Sequence, residues 1–126
     1  MDKARLKAIP LFANLDDHDL GVIATFASET SVSEGEVLVR EGDFSYELMA
    51  IEEGGAEVRR GADLLATLGP GDFFGEVGVL NNELRNATIV AKNSMRLVTL
   101  TTWELKRMRK MPGVMDRISE VIAARG

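Results

Sequence analysis

Cysteine is missing from all 126 residues, and histidine occurs once, at His18. Without thiols there is no disulfide, no thiol nucleophile and no Cys-ligated metal. Metal-dependent β-barrel enzymes need two or three clustered histidines, so one histidine points away from that chemistry. His18 lies in a polar helix start with no second ligand type nearby and is read as a surface residue. A run of ~18 apolar residues, the mark of a membrane-spanning helix, does not occur. The start, Met1-Asp2-Lys3-Ala4-Arg5-Leu6-Lys7, lacks a signal-peptide core. A cytoplasmic protein without a membrane span is expected. Basic residues are also in deficit, with Lys and Arg numbering 15 against 20 Asp and Glu, a net charge of −5. Affinity for nucleic acid rests on neutralised phosphates, which requires a basic face. The one basic cluster, Lys106-Arg107-Arg109-Lys110, reads as a solvated helix face. No nucleic-acid partner is expected for this chain alone.

What remains is a chain with 45% hydrophobic residues, enough for one ordinary core. No linker or repeat divides it, so residues 1–126 are read as a single domain. A short helix is expected from about Asp2 to Ala8, stopped by Pro10. A second begins at Asp16, with Asp16 and Asp19 at capping spacing and Leu20, Ile23, Ala24 and Ala27 at helical spacing. From about Glu29 to Thr101 the pattern changes to short β-like runs broken by Gly, Asp and Asn. These runs are Glu36 to Arg40, Glu47 to Ile51, Ala56 to Arg60, Asp63 to Leu68, Thr88 to Ala91 and Met95 to Leu100. The fourth follows a hairpin at Gly61, and Gly69-Pro70-Gly71-Asp72 is a strong turn. Thr101 and Glu104 have the spacing of a capping box opening a helix from Trp103 to Lys110. Pro112 and Gly113 break it, and a last helix is expected from about Val114 to Arg125. The fold class is therefore α+β: an antiparallel, jelly-roll-like β-roll flanked by N-terminal helices and two C-terminal helices.

The most informative stretch runs from Phe73 to Thr88. Gly75 permits close approach of backbone to a ligand, and Glu76 follows it. The segment from Glu76 to Leu80 is long enough for one short helical turn whose free N–H groups favour an anion. Arg85, nine positions after Glu76, brings a planar donor fork suited to phosphate. An acid and an arginine facing one small cavity can hold a molecule carrying hydroxyls and a phosphate. Their competing readings are a helix-terminal carboxylate and a surface arginine paired with Glu83.

This stretch resembles the phosphate-binding cassette of the cyclic nucleotide-binding domain family, of the catabolite-activator and protein-kinase-regulatory-subunit type. The resemblance extends through Pro10-Leu11-Phe12, Glu34-Gly35-Glu36, Arg40-Glu41-Gly42-Asp43, Ile51-Glu52-Glu53-Gly54 and Leu68-Gly69-Pro70-Gly71-Asp72. It implies the β-roll, with a short helix in the cassette, and cAMP or cGMP as ligand rather than a cofactor. Glu76 would accept from the ribose 2′-hydroxyl, and Arg85 would pair with the exocyclic phosphate oxygens. Asn86 and Ala87 would offer backbone N–H groups to the phosphate, beside Gly75 and Val77. Val58, Leu65, Phe74 and Val77 match positions lining the base and sugar pocket, with plain core packing as their competing reading. Arg125 falls where some bacterial members place an arginine reaching toward the nucleotide; solvation is its alternative.

The chain departs from the family pattern at Leu84 and Asn86, where many relatives have Pro and a small residue. Relatives that prefer cGMP often place Thr directly after the arginine, so Asn86 tilts the expectation toward cAMP. The last helix is short, which implies a shallow base site and weak base discrimination, or capping by a second subunit. The resulting expectation is a sensor, not an enzyme, that couples cyclic nucleotide binding to movement of its C-terminal helices. The signal would pass to a downstream protein, a fused effector or a second copy through the last helix. The alternative is a degenerate fold acting as a ligand-free interaction module.

Overall fold

The computed structural model describes residues 1–13, 15–42, 47–74, 87–101, 103, 104, 107, 110, 116 and 120. Helix α1 spans Lys3–Lys7, and the Asp2 carboxylate accepts from the Ala4 amide at 2.8 Å. Pro10 begins a 3-10 turn, Pro10–Phe12, as well as ending what precedes it. Proline suits a first helical position because its missing N–H would have no intrahelical partner there. Helix α2 spans Asp17–Phe26, and Asp16 caps it through the Asp19 amide at 2.8 Å, as its spacing predicts.

Among the described residues eight strands follow: β1 Ser28–Val32, β2 Val37–Val39, β3 Glu47–Glu53, β4 Ala56–Arg60, β5 Asp63–Leu68, β6 Phe73–Phe74, β7 Thr88–Ala91 and β8 Met95–Thr101. They form two four-stranded sheets, ordered β1-β8-β3-β6 and β2-β7-β4-β5, with every pairing antiparallel. The expected β4–β5 hairpin turns at Gly61, whose φ is +59°. Two strands lack a counterpart in the sequence reading: β1, mostly polar and exposed, and β6, two residues long.

The first sheet separates two cores because side chains alternate across a strand. Leu48 and Ala50 of β3, Val98 and Leu100 of β8, and Phe73 of β6 face outward. There they pack against Leu6, Ile9, Leu11, Phe12, Leu20 and Ile23 of the N-terminal segment. Their neighbours Ile51, Met95, Leu97 and Phe74 join Val39, Ala56, Ile89 and Ala91 inside the roll. The helical layer thus packs on one face of a sheet whose other face forms the roll.

The Thr101–Glu104 capping box is present: the Thr101 amide donates to the Glu104 carboxylate at 2.7 Å, and the Glu104 amide to the Thr101 hydroxyl at 3.3 Å. Trp103, Glu104 and Arg107 are helical, as are Asp116 and Glu120. Lys110, the expected end of the first C-terminal helix, lies in a turn, and its amide donates to the Arg107 carbonyl at 3.1 Å. The other residues of the two expected C-terminal helices, and the expected helix in the cassette, lie outside the described residues.

Candidate functional site

The described residues that bracket the sequence motif are Phe74 at the end of β6 and Ala87 before β7. Gly75, Glu76, Val77, Arg85, Asn86 and Arg125 lie outside the described residues. Phe74 is 3% exposed and pairs with Met49 of β3. Ala87 is also buried, and β7 then ladders between β2 and β4.

Val58, on β4 opposite Ile89, is half-buried and packs against the same cluster that holds Phe74. The fold therefore brings these two expected pocket residues together. Leu65 is placed differently. Val58 pairs with Ala66 and Arg59 with Leu64, leaving Leu65 as the extra residue of a bulge. Leu65 is 48% exposed and Leu64 50%, on a sheet edge where all of β5 except Leu68 is exposed.

Thr88 is the residue that the motif reading passed over. It is half-buried, and its hydroxyl accepts from the Glu41 amide at 3.1 Å. Glu41 belongs to the Arg40-Glu41-Gly42-Asp43 turn of the family resemblance, and Thr88 closes the cassette stretch. Both segments had been recognised, but no sequence signal joined them.

The charge network lies on the face of the first sheet that carries α1. The Arg5 guanidinium bonds both carboxylate oxygens of Glu52, at 2.8 and 2.6 Å, and also pairs with Glu29. Hydrogen bonding to Arg5 holds the Glu52 carboxyl below its ordinary range, against an opposing push from burial. The reciprocal bond to Glu52 is the main cause that raises Arg5 above its usual value. Arg96 reaches Glu53 at 3.4 Å beside them. These groups tie α1 to β1 and β3.

Among the described residues, no group of three or more His, Cys, Asp or Glu side chains could hold a metal. Two open clefts are lined by described residues. One, of about 360 Å3, is lined by Ser31, Ser33, Glu53, Ser94 and Arg96 with Val32 and Met95. The other, of about 350 Å3, lies between α1 and α2.

Two antiparallel four-stranded sheets carrying an N-terminal helical layer define the β-roll class of the fold. The chain belongs to the cyclic nucleotide-binding domain family, whose model matches residues 29–111. It is 34% identical over 95 residues to the cAMP-dependent protein kinase regulatory subunit of Schizosaccharomyces pombe. That match takes in 75% of this chain and 23% of the relative, so the chain spans about a quarter of that protein's length. Among solved structures, it resembles the N-terminal domain of a transcriptional regulator from Streptomyces coelicolor, with a TM-score of 0.80 and 28% identity. That likeness covers 96% of this chain and 91% of the other. The catabolite activator protein of Thermus thermophilus matches with a TM-score of 0.81 and 26% identity, over 92% of this chain and 57% of that one.

Proposed function

We propose that residues 1–126 form one sensor domain that binds a cyclic mononucleotide, cAMP in preference to cGMP. The observation that carries this reading is the family match across residues 29–111, a range that includes Gly75, Glu76 and Arg85. A cAMP-dependent regulatory subunit among the relatives supports cAMP, as does Asn86 after the arginine. In this reading Arg85 holds the cyclic phosphate with the backbone of Asn86 and Ala87, and Glu76 holds the ribose hydroxyl. Gly75 and Val77 line the approach. Phe74 and Val58 form the apolar floor, where their shared cluster supports a common role. Leu65, half-exposed at its bulge, supports a base site left open on one side. Arg125 is assigned to the rim of that site.

Occupancy is passed on through the C-terminal helices. The Arg107 guanidinium stands 5.1 Å from the centre of the Phe26 ring, which gives the helical residues after β8 a contact with the end of α2. For the coupling to work, the ligand must favour one helix arrangement over another. The receiver is a downstream protein, a fused effector or a second copy of the chain. The domain is read as a binding module rather than an enzyme, because the family it matches is a nucleotide-binding one. No helix of the described residues is long and apolar enough to cross a membrane.

Calorimetric titration with cAMP and then cGMP, repeated on Arg85→Ala, tests this. Saturable binding that is tighter for cAMP and collapses in the variant is expected. Absence of heat and of thermal stabilisation with either nucleotide at millimolar concentration would instead favour a ligand-free interaction module.

A further inference from the structure

We infer that the outer edge of β5 is an interface at which a second copy of this chain adds its own β5, antiparallel, across a two-fold axis. The inference rests on the sheet edges of the fold and is independent of the nucleotide reading above.

A strand at a sheet edge presents unpaired N–H and C=O groups, and folds blunt such edges with charge, shortness, bulges or cover. Among the described residues the two sheets end on β1, β6, β2 and β5. Strand β6 is two residues long and β2 three, with Glu36 and Arg40 flanking β2. Strand β1, Ser-Glu-Thr-Ser-Val, is mostly polar and carries Glu29, which pairs with Arg5. Strand β5 is the exception, with six residues and the uncharged run Leu64-Leu65-Ala66-Thr67-Leu68. Its guards are Asp63 at the first position and the bulge at Leu65, yet Leu64 and Leu65 stay half-exposed.

Charge and register favour a second copy as the occupant. A chain of net charge −5 repels its own copies, so self-association needs a locally neutral strip. The β5 edge provides one: on β4 behind it, Glu57 and Arg59 neutralise each other at 3.2 Å. Leu64 pairs with Arg59 and Thr67 with Glu57, alternate residues of β4, so Leu64 and Thr67 share one face of the sheet. Asp63 pairs with Arg60 and Leu68 with Ala56, and by the same alternation these two also share a face. A two-fold axis between Leu65 and Ala66 therefore sets Leu64 across from Thr67 of the second copy, and Asp63 across from its Leu68. Faces match in that register and no like charges meet. The two sheets then join into one, running β2-β7-β4-β5 and on through β5-β4-β7-β2 of the second copy.

Each contact occurs twice across a two-fold axis, so a substitution in it counts twice. Leu64→Glu faces Arg59 within its own sheet, which supports the monomer, but puts a carboxylate into the shared edge. Thr67→Lys likewise faces Glu57. Sedimentation equilibrium from micromolar to millimolar concentration should show a parent dimer, weakened about two- to thirtyfold by either substitution. The double variant, Leu64→Glu with Thr67→Lys, places opposite charges across the axis and should regain dimerisation. Thermal midpoints on the same samples check that every variant folds. A parent that stays monomeric at millimolar concentration, a dimer indifferent to Leu64→Glu, or a double variant no tighter than the single ones would overturn the inference. None of these outcomes bears on nucleotide binding, which is titrated separately.

Discussion

Arg5 and Glu52, 47 residues apart, form a two-point ion pair, with Nε donating to Oε2 at 2.8 Å and Nη2 to Oε1 at 2.6 Å. Glu52 sits on β3, and Arg5 on α1 reaches it over the sheet while also engaging Glu29 of β1. One guanidinium thereby holds the N-terminal helix to two strands.

The pH dependence of this pair has a definite sign. Glu52 is held below its ordinary pKa in the folded state, so the unfolded chain takes up its proton first. The contribution is complete above the unfolded value of about 4.3 and is lost as pH falls through the folded value. Glu52→Gln should unfold more easily than the parent at pH 7, and the two curves should converge below about pH 4. Thermal midpoints measured against pH check this; a constant gap down to acid pH would show that the ion pair is not its source. Arg96 also favours the charged form of Glu52, so Arg96→Ala should narrow the gap slightly.

Gly54 has φ of +89°, and a Cβ there would stand 2.4 Å from the Ser94 carbonyl oxygen and 2.8 Å from the Met95 Cα. Both obstructing atoms are backbone, so they cannot rotate away. Gly35 has a similar φ of +87° but nothing within 4 Å of its Cβ position. Gly35→Ala should therefore cost only the conformational penalty, about 1–2 kcal/mol, whereas Gly54→Ala should cost distinctly more. Urea unfolding of the two variants gives the comparison.

The Arg107–Phe26 contact predicts a measurable coupling between α2 and the segment after β8. A double-mutant cycle of Phe26→Leu and Arg107→Ala should give a coupling of about 0.5–1 kcal/mol, typical of an exposed cation–π pair. If helix movement accompanies nucleotide binding, that coupling should change when cAMP is added. An identical value with and without ligand would remove this contact from the signalling route.

For the nucleotide itself, the loss of a charged hydrogen-bonding partner costs on the order of 1.5–3 kcal/mol. Arg85→Ala should accordingly weaken cAMP binding roughly ten- to a hundredfold or more, and Glu76→Ala should do comparable harm through the ribose. Titration calorimetry separates these losses from misfolding when thermal midpoints are recorded on the same samples.

The caps and hairpin were legible because their partners are near in sequence. Asp16 reaches Asp19, Thr101 reaches Glu104, and the β4 and β5 bounds around Gly61 match their expected ones. Strand β1, Ser-Glu-Thr-Ser-Val, carries little apolar pattern of its own, because it is an edge strand defined by pairing with β8. Two-residue β6 exists only through Met49 and Ala50 of β3, far back in the chain.

The amino-acid sequence by itself determined the family, the order of most elements, and the candidate ligand-binding residues, since motif spacing and local capping need no tertiary partner. The tertiary structure decided which neighbours part company: Phe73 packs under the helices and Phe74 inside the roll, because adjacent side chains leave a strand on opposite faces. It also decided that Val58 joins the cluster of Phe74 while Leu65 stands exposed at a bulge, and that Thr88 meets Glu41 and Arg5 meets Glu52. Each of these depends on strand register or on contacts across 47 residues, where residue spacing carries no information about distance.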